Sequence, residues 1–284
     1  MSVGLITRFK NERHIMYEWF HHHLKEGVDK FYFIDDYSDD DFLKENSWLL
    51  DYVKRGKVKL LKSKSGQQED YDNFLGMIKR ENKWIIQIDI DEFIFNPYPK
   101  MGIKELLNKY LNKYDYIRVK WKLFSHRCEE QPKSVIENNV ITHKEKIDPT
   151  SSAGIKCIGK TRFLKSIRIH EMFFGRRVKT WELFNSHNNF LQLNHYRTQS
   201  DEYLFGVKEQ RGGGVGVDKY KKPDNRHKKF NKVCLLLKNK RKGLINACNE
   251  REQVKPNIYK NSSWFEKMDG TPEKKEETKK LSII

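Results

Sequence analysis

Hydrophobic and polar positions along the first 95 residues repeat with two different periods. Apolar and β-branched runs predict four buried strands, at 3–9, 30–35, 57–61 and 84–95. Between them, apolar residues at helical spacing predict three helices, at 11–27, 38–56 and 66–82. Alternation of strands and helices is typical of right-handed βαβ units. We therefore expect an α/β fold with a mostly parallel sheet flanked by helices.

The chain after residue 100 follows this alternation less closely. The aromatic run YIRVKWKLF (116–124) predicts a strand in a small antiparallel addition to the sheet. From about residue 217 the chain becomes basic, since 217–284 holds 19 Lys and Arg against 9 Asp and Glu. Within it, 226–251 carries nine basic residues and one acidic residue around VCLLL, which favours a basic amphipathic helix. We therefore expect one domain at 1–216 and a basic, partly helical extension at 217–284.

Acidic residues follow two of the predicted strands at the point where each strand ends. Asp35 and Asp36 follow the second strand, and Asp89-Ile90-Asp91-Glu92 ends the fourth. Ligands of open parallel sheets bind beyond the carboxyl ends of the strands. These carboxylates are therefore expected to face a ligand crevice.

The sequence Asp89-Ile90-Asp91 is the strongest candidate for metal chemistry. On an extended chain, side chains two residues apart point to one face, and two carboxylates make a hard oxygen site for Mg²⁺ or Mn²⁺. Such an ion keeps open positions for phosphate oxygens and stabilises a diphosphate leaving group. The alternative is an acidic strand end that is solvated and inert. An exposed strand end also implies that Asp91→Asn removes function and leaves the fold intact.

Composition narrows the class of protein. A hydrophobic share of 37% excludes wholesale disorder, and the net charge of +17 indicates an anionic partner such as nucleotide phosphates, nucleic acid or a membrane surface. The four cysteines are far apart with no CxxC pair, so neither a disulfide scaffold nor a zinc cluster is expected. This usage of cysteine is typical of proteins in the reducing cytosol. No signal peptide or membrane-spanning run is apparent, so we expect a cytoplasmic protein.

Short motifs in order along the chain resemble glycosyltransferases of the family 92 type and the related bacterial family 2-like group. They run from residue 3 to 213: Lys10-Asn11-Glu12, Glu18-Trp19, Asp35 to Asp39, Gln68, Asp72-Asn73, Asp89 to Phe93, Asn194 to Arg197, Ser200, Glu202-Tyr203, Lys208 and Arg211-Gly212. The resemblance implies a GT-A fold, a nucleotide-sugar donor and a divalent metal, Mn²⁺ or Mg²⁺. It also implies a UDP-sugar, with UDP-galactose as the first choice, and inversion at the anomeric carbon.

The resemblance assigns roles residue by residue. The nucleotide-binding set that it implies is Thr7, Arg8, Asp35, Asp36, Asn73, Asp89, Lys208 and Arg211. Asp91 and His195 are the implied metal ligands, with His195 completing the shell from across the site. For one of Asp35 and Asp36 the alternative role is capping of the next helix, and for His195 it is that of an ordinary half-buried histidine.

The catalytic base must come from the segment after the DxD motif, because that segment faces the acceptor. An inverting transfer needs a carboxylate that removes the proton of the attacking hydroxyl. Glu171 is our choice, since its apolar neighbours could raise its pKa. Glu182 and Asp148 are rivals. His170 matches a family-like histidine without an evident role, and Trp121 and Trp181 are either core residues or platforms for a sugar.

Two other functions compete with sugar transfer. A nucleic-acid-binding protein without catalysis would use the basic charge. The carboxyl-terminal region, however, is lysine-rich with few aromatic residues on which bases could stack, and the carboxylates at the strand ends would repel nucleic-acid phosphates. A metal nuclease built on Asp89, Asp91 and Glu92 lacks a lysine at the usual short spacing. We therefore expect a glycan or glycolipid acceptor in surface polysaccharide or lipid-linked glycan synthesis, and no nucleic-acid partner.

The basic stretch 226–251 predicts peripheral contact with anionic membranes at the cytoplasmic face. The alternative is a helix that packs on the domain by its leucines, with its cations in water. If the stretch lies outside the core, truncation after Val217 should abolish membrane binding and preserve donor hydrolysis.

Overall fold

A computed structural model describes residues 2–64, 66–98, 100–125, 128–143, 154–183, 190–210 and 230–251. The strands are β1 Val3–Phe9, β2 Lys30–Asp35, β3 Val58–Lys62, β4 Trp84–Gln87, β5 Glu92–Phe95, β6 Tyr116–Ser125, β7 Ile141–His143, β8 Ile155–Lys160, β9 Leu164–Ile167, β10 Met172–Phe174, β11 Thr180–Leu183, β12 Gln192–His195 and β13 Phe230–Val233. The helices are α1 Arg13–Lys25, α2 Phe42–Glu45, α3 Trp48–Lys54, α4 Gln67–Glu81, α5 Ile103–Lys109, α6 Val135–Asn138, α7 Asp201–Tyr203, α8 Leu236–Lys240 and α9 Lys242–Glu250. A π-helical turn, Leu204–Lys208, continues α7.

The sheet confirms the α/β architecture that the sequence predicts. Strands β3, β2, β1 and β4 lie side by side and are all parallel. The sheet continues through β8 and β6, which pair antiparallel, so the predicted antiparallel addition is also present. β11 and β12 both pair with β6, and β12 also pairs with β5. β9 and β10 form a separate two-stranded sheet.

Helices cover both faces of the parallel half, because its strands are apolar on both sides. Along β1, Leu5 joins the core that contains Trp19 of α1, whereas Ile6 joins the opposite core with Tyr71 of α4. Successive side chains of a strand point to opposite faces, so a strand buried on both faces shows a nearly continuous apolar run. This arrangement leaves the carboxyl edge of the sheet open for function.

Two predicted elements are each split in the structure. The predicted helix 38–56 is α2 followed by α3, because buried Asn46 between them donates to the Arg13 carbonyl at 3.1 Å and accepts from Trp48 Nε1 at 2.9 Å. The predicted strand 84–95 is β4 followed by β5, with a turn closed by the Glu92 N–H on the Asp89 carbonyl at 3.1 Å. The DxD residues therefore lie in a turn and not on an extended strand.

The described part of the basic extension packs on the first domain. β13 pairs with β7, and Leu237 and Ile245 belong to the main hydrophobic core. The prediction for truncation after Val217 assumed that this stretch lies outside the core. That assumption is wrong, because the stretch contributes core residues. The division at residue 217 itself stays a prediction. In the described ranges, no helix combines the length and apolar character needed to cross a bilayer.

Candidate active site

A cavity of about 530 Å³ opens at the carboxyl edge of the parallel strands. It is lined by Arg8, Phe9, Lys10, Glu12, Asp36, Gln67, Asp89, Ile90, Asp91, Trp121, Ile169, His195, Arg197 and Lys208. These side chains come from the ends of β1, β2, β4 and β12, from β6, from α4, from the turn between β9 and β10, and from the π-helical turn after α7. The edge of the sheet where ligands were expected is therefore the place where the chain forms a cavity.

The turn between β4 and β5 presents Asp89 and Asp91 to this cavity from different surroundings. Asp89 Oδ2 lies 2.7 Å from Lys156 Nζ on β8. Asp91 Oδ2 lies 2.5 Å from Lys208 Nζ and 3.4 Å from His195 Nε2. Asp91 is only 5% exposed, so the expectation that it sits on an exposed strand end is wrong. The two lysines come from distant parts of the chain, Lys156 from β8 and Lys208 from the π-helical turn after α7.

Asp91, Glu92 and His195 form a group that could hold a metal ion. One ligand atom from each residue lies within 4.8 Å of the others. In the described part of the chain, Glu92 Oε1 and His195 Nδ1 are buried without a hydrogen-bond partner. Two carboxylates and an imidazole match the donor preferences of Mn²⁺ and Mg²⁺ better than those of a soft metal. The residues present therefore fit the divalent ion that the resemblance implies.

The electrostatics of this group agree with that role. Burial alone would raise the pKa of Asp91, but Lys208 and His195 hold that pKa well below its usual range, so Asp91 is a carboxylate. Burial lowers the pKa of His195 despite the pull of Asp91, so its imidazole is neutral at neutral pH and has a free electron pair. Burial raises the pKa of Glu92 well above its usual range, with Lys156 opposing the shift. A bound cation would favour the charged form of Glu92.

Strand pairing explains how residues so distant in sequence meet. β12 runs antiparallel to β5, and its register places His195 opposite Glu92. The Tyr196 N–H donates to the Asp91 carbonyl at 2.9 Å, which fixes the DxD turn against the end of β12. The His195 ring packs on Trp121 of β6 with centroids 4.4 Å apart. The imidazole is therefore held on two sides.

Asp36 and Asp35, at the end of β2, have different surroundings. Asp36 lines the cavity and forms an ion pair with Arg8 at 2.6 Å. Asp35 is buried and accepts from the Ser38 N–H at 2.9 Å, so it caps the turn after β2. Thr7 is buried on β1 and does not line the cavity. Of these four predicted residues, Arg8 and Asp36 line the cavity.

Other predicted residues fall in varied positions. Asn73 is exposed on α4 and does not line the cavity, whereas Gln67 in the first turn of that helix does. Two helical turns separate them, and only the first turn reaches the carboxyl edge. Lys208 lines the cavity but forms an ion pair with Asp91. Arg211 lies outside the described residues.

Neither of the two candidate bases that the structure describes, Glu171 and Glu182, lines the cavity. Glu171 is exposed in the turn between β9 and β10, two residues after Ile169, which does line the cavity. Its exposure removes the apolar surroundings that the sequence predicted. Glu182 on β11 pairs with Arg118 at 2.7 Å. Asp148 lies outside the described residues.

Like the metal-group carboxylate Glu92, Lys156 is a site residue that sequence reasoning missed. Its Nζ is within 3.5 Å of Glu92 Oε2 as well as within 2.7 Å of Asp89, and it is 1% exposed. In sequence it is one lysine among 56 basic residues, and no spacing marks it.

Of the two tryptophans considered as sugar platforms, Trp121 lines the cavity, whereas Trp181 stacks on Tyr114 with ring centroids 5.5 Å apart.

Several known proteins are similar to this chain. S. aureus TarS 1–349, crystallised in complex with UDP, is 13% identical with a TM-score of 0.42, over 68% of this chain and 60% of that one. Mannosyltransferase PcManGT from Pyrobaculum calidifontis, in complex with GDP-Man and Mn²⁺, is 12% identical with a TM-score of 0.34, over 56% and 44%. GalNAc-T7 with UDP, GalNAc and Mn²⁺ is 13% identical with a TM-score of 0.41, over 86% and 54%. No protein of curated function matches.

These solved chains are longer than the stretch they share with the protein, which spans less than two thirds of each. The family comparison is far more extensive. The model of glycosyltransferase family 92 matches residues 5–280, a range that includes the DxD turn, the end of β12 and every residue that lines the cavity. The protein therefore belongs to glycosyltransferase family 92.

Proposed function

We propose that this enzyme transfers a sugar from a UDP-sugar, with UDP-galactose as the first choice, to a hydroxyl of a glycan acceptor in a metal-dependent, inverting reaction. One observation carries the proposal. Asp91 and His195, which form the candidate metal group with buried Glu92, line the same cavity as the pair Arg8 and Asp36. A site for a divalent ion and a site for a nucleoside at one sheet edge are what a nucleoside diphosphate sugar requires.

The nucleoside would lie at the Asp36 end. The Asp36 carboxylate accepts hydrogen bonds from a base N–H or from ribose hydroxyls, and the Arg8 guanidinium stacks on a base. Arg8 Nε also lies 3.4 Å from Asp70 Oδ2, so a second carboxylate orients it when a ligand competes for Asp36. Both groups are therefore held in place before the donor binds.

The diphosphate would lie across the centre of the cavity. Asp91, Glu92 and His195 would hold the ion, which neutralises the diphosphate as it leaves. Lys156 keeps Asp89 and Glu92 from repelling each other, and Lys208 balances Asp91 in the absence of the ion. Lys10 and Arg197 add positive charge to the walls of the cavity. The lining also holds four carboxylates, so a bound divalent ion would supply the excess positive charge that favours an anionic ligand over an uncharged sugar.

A test of the nucleotide end is Asp36→Ala. We expect UDP affinity to fall about ten-fold, because one charge-assisted contact is lost, while turnover at saturating donor changes little. Arg8 keeps Asp70 as a partner, so the fold should survive. Calorimetric titration with UDP measures the effect, and Asp51→Ala on the exposed face of α3 is the matched control. Unchanged UDP affinity in Asp36→Ala would remove Asp36 from the donor site.

A test of the acceptor end is Glu171→Gln. As base, Glu171 would take the proton of the acceptor hydroxyl as that oxygen attacks the anomeric carbon. We propose it because its turn borders the cavity through Ile169, so a bound acceptor would cover it. Loss of a general base lowers turnover by about 10²–10⁴-fold with little change in UDP affinity. Glu182→Gln, which alters an ion pair away from the cavity, is the control, and a fully active Glu171→Gln enzyme would move the base elsewhere.

A further inference from the structure

The hairpin of β9 and β10 forms one wall of the cavity and is firmly attached to the domain. Ile169 in its turn lines the cavity. Gln68 of α4 donates to the Ile167 carbonyl at 2.7 Å, and His170 Nδ1 lies 2.9 Å from the Ile155 carbonyl. The hairpin therefore presents a fixed surface beside the site.

This surface is strongly basic. The segment 162–179, named here the basic hairpin, contains six cations and a single acid, Glu171. The exposed cations are Arg162, Lys165, Arg168, Arg176, Arg177 and Lys179. Within the described ranges, none of these six forms an ion pair with a carboxylate. The protein thus leaves this charge for a partner.

Aromatic rings orient several of the guanidinium groups. The Arg168 guanidinium lies 5.1 Å from the centre of the Phe173 ring, and Phe173 is 44% exposed. At the other end of the hairpin, where the Thr161 N–H binds the Lys83 carbonyl before β4, Arg162 and Arg176 lie 4.9 Å and 3.4 Å from the centre of the Phe163 ring. A planar cation next to an exposed ring offers both a fork for a carboxylate and an apolar face. A pyranose ring with a carboxylate substituent matches both features.

The position of the basic hairpin indicates which reactant it would meet. Along the sheet, Asp36 follows β2, Arg8 ends β1 and Asp89 follows β4, while β8 and β6 lie beyond them. The turn of the basic hairpin packs on β8 and β6, because the Cys157 thiol donates to the His170 carbonyl at 3.2 Å and the Met172 N–H donates to Tyr116 Oη at 3.2 Å. It therefore stands past the DxD turn from Asp36. A donor that extends from Asp36 to the DxD turn would leave this end of the cavity to the acceptor.

We infer that the basic hairpin binds the acceptor and that this acceptor is an acidic glycan whose sugars carry carboxylates. The inference rests on the proposed function, since the acceptor side is defined by the donor side. Charge complementarity favours a polyuronate over a neutral glycan. The exposed apolar group of the turn, Ile169 and Phe173, is small and suits a sugar face better than the interior of a bilayer.

The experiment compares two double charge reversals in the full-length protein. Lys165→Glu with Arg168→Glu alters the basic hairpin, and Lys54→Glu with Lys57→Glu makes the same change of charge on the exposed surface near α3. Binding of oligogalacturonate at 0.15 M salt is the measurement. We expect the hairpin variant to bind at least about ten-fold more weakly than wild type, and the control variant to change by at most about two-fold. Thermal melting confirms that both variants are folded.

Three further probes make the result decisive. Maltohexaose, a neutral glycan, should bind the wild-type protein at least about ten-fold more weakly than oligogalacturonate, and so should poly-L-glutamate, which carries carboxylates without sugar rings. Equal binding of either probe, or equal oligogalacturonate binding by the two variants, would overturn the inference. Selective loss of binding to phosphatidylglycerol vesicles would instead assign the hairpin to a membrane. UDP binding by the wild-type protein tests the proposed function separately.

Discussion

Asp91→Asn should lower sugar transfer by about a thousand-fold or more, and excess chelator should abolish the activity of the wild-type enzyme. The substitution removes the charge of the carboxylate that, with Glu92 and His195, would hold the divalent ion. Initial rates with a UDP-sugar, with and without added Mn²⁺ or Mg²⁺, measure the effect. Full activity in excess chelator would contradict both the metal requirement and the role of His195.

The same substitution should also lower the melting temperature. Lys208 Nζ lies 2.5 Å from Asp91 Oδ2, and Lys208 is 7% exposed, so Asp91→Asn leaves a buried ammonium without its counter-charge. The matched control is the double variant Asp91→Asn with Lys208→Met, in which the unpaired charge is also removed. We expect the double variant to regain melting temperature and to stay inactive. A double variant as unstable as the single one would show that Lys208 is not the cause.

Glu26→Gln should destabilise the fold by about 3–5 kcal/mol, the cost of breaking a buried ion pair from one side. Glu26 is fully buried at the end of α1, and its Oε1 pairs with Arg241 and, at 2.8 Å, with Lys240. Its Oε2 accepts from the N–H groups of Asn96 and Ile103 at 3.2 and 3.1 Å. One carboxylate thus joins α1, the end of β5, the start of α5 and the carboxyl-terminal helices.

Urea unfolding measures this effect, and Glu105→Gln is the control. Glu105 pairs with Lys109 at 2.7 Å on the exposed face of α5, where water and salt screen the pair and its contribution to stability is small. We expect the two variants to differ several-fold in lost stability. Equal, small losses would show that the carboxyl-terminal helices do not depend on Glu26 for their attachment.

Local periodicity is enough to predict much of the parallel half of the sheet. Strands β1 and β2 begin and end where the apolar runs do, because a strand buried on both faces needs a continuous apolar run. The acidic residues that follow β2 and β4 predicted the edge that carries the cavity, because parallel strands bring their carboxyl ends together. The family resemblance, carried by ordered motifs, is confirmed by the match over residues 5–280.

Contacts between distant segments decided the rest. The split of 84–95 at the DxD turn depends on β12, since Tyr196 binds the Asp91 carbonyl. The difference between Asp35 and Asp36 depends on which of them meets Arg8 across 28 positions of sequence. Nothing in the local pattern distinguishes these two carboxylates, because both follow the same strand.

The basic residues show this division most clearly. From sequence, the lysines and arginines of 226–251 form a surface stripe for an anionic membrane, yet Lys240 and Arg241 are turned inward to Glu26. Lys156 and Lys208 likewise neutralise buried carboxylates at the site. A sequence determines how many charges a chain carries and which elements they lie on. Only the tertiary structure decides which charges are buried and paired, because the cost of burying a charge is offset by a partner from elsewhere in the chain.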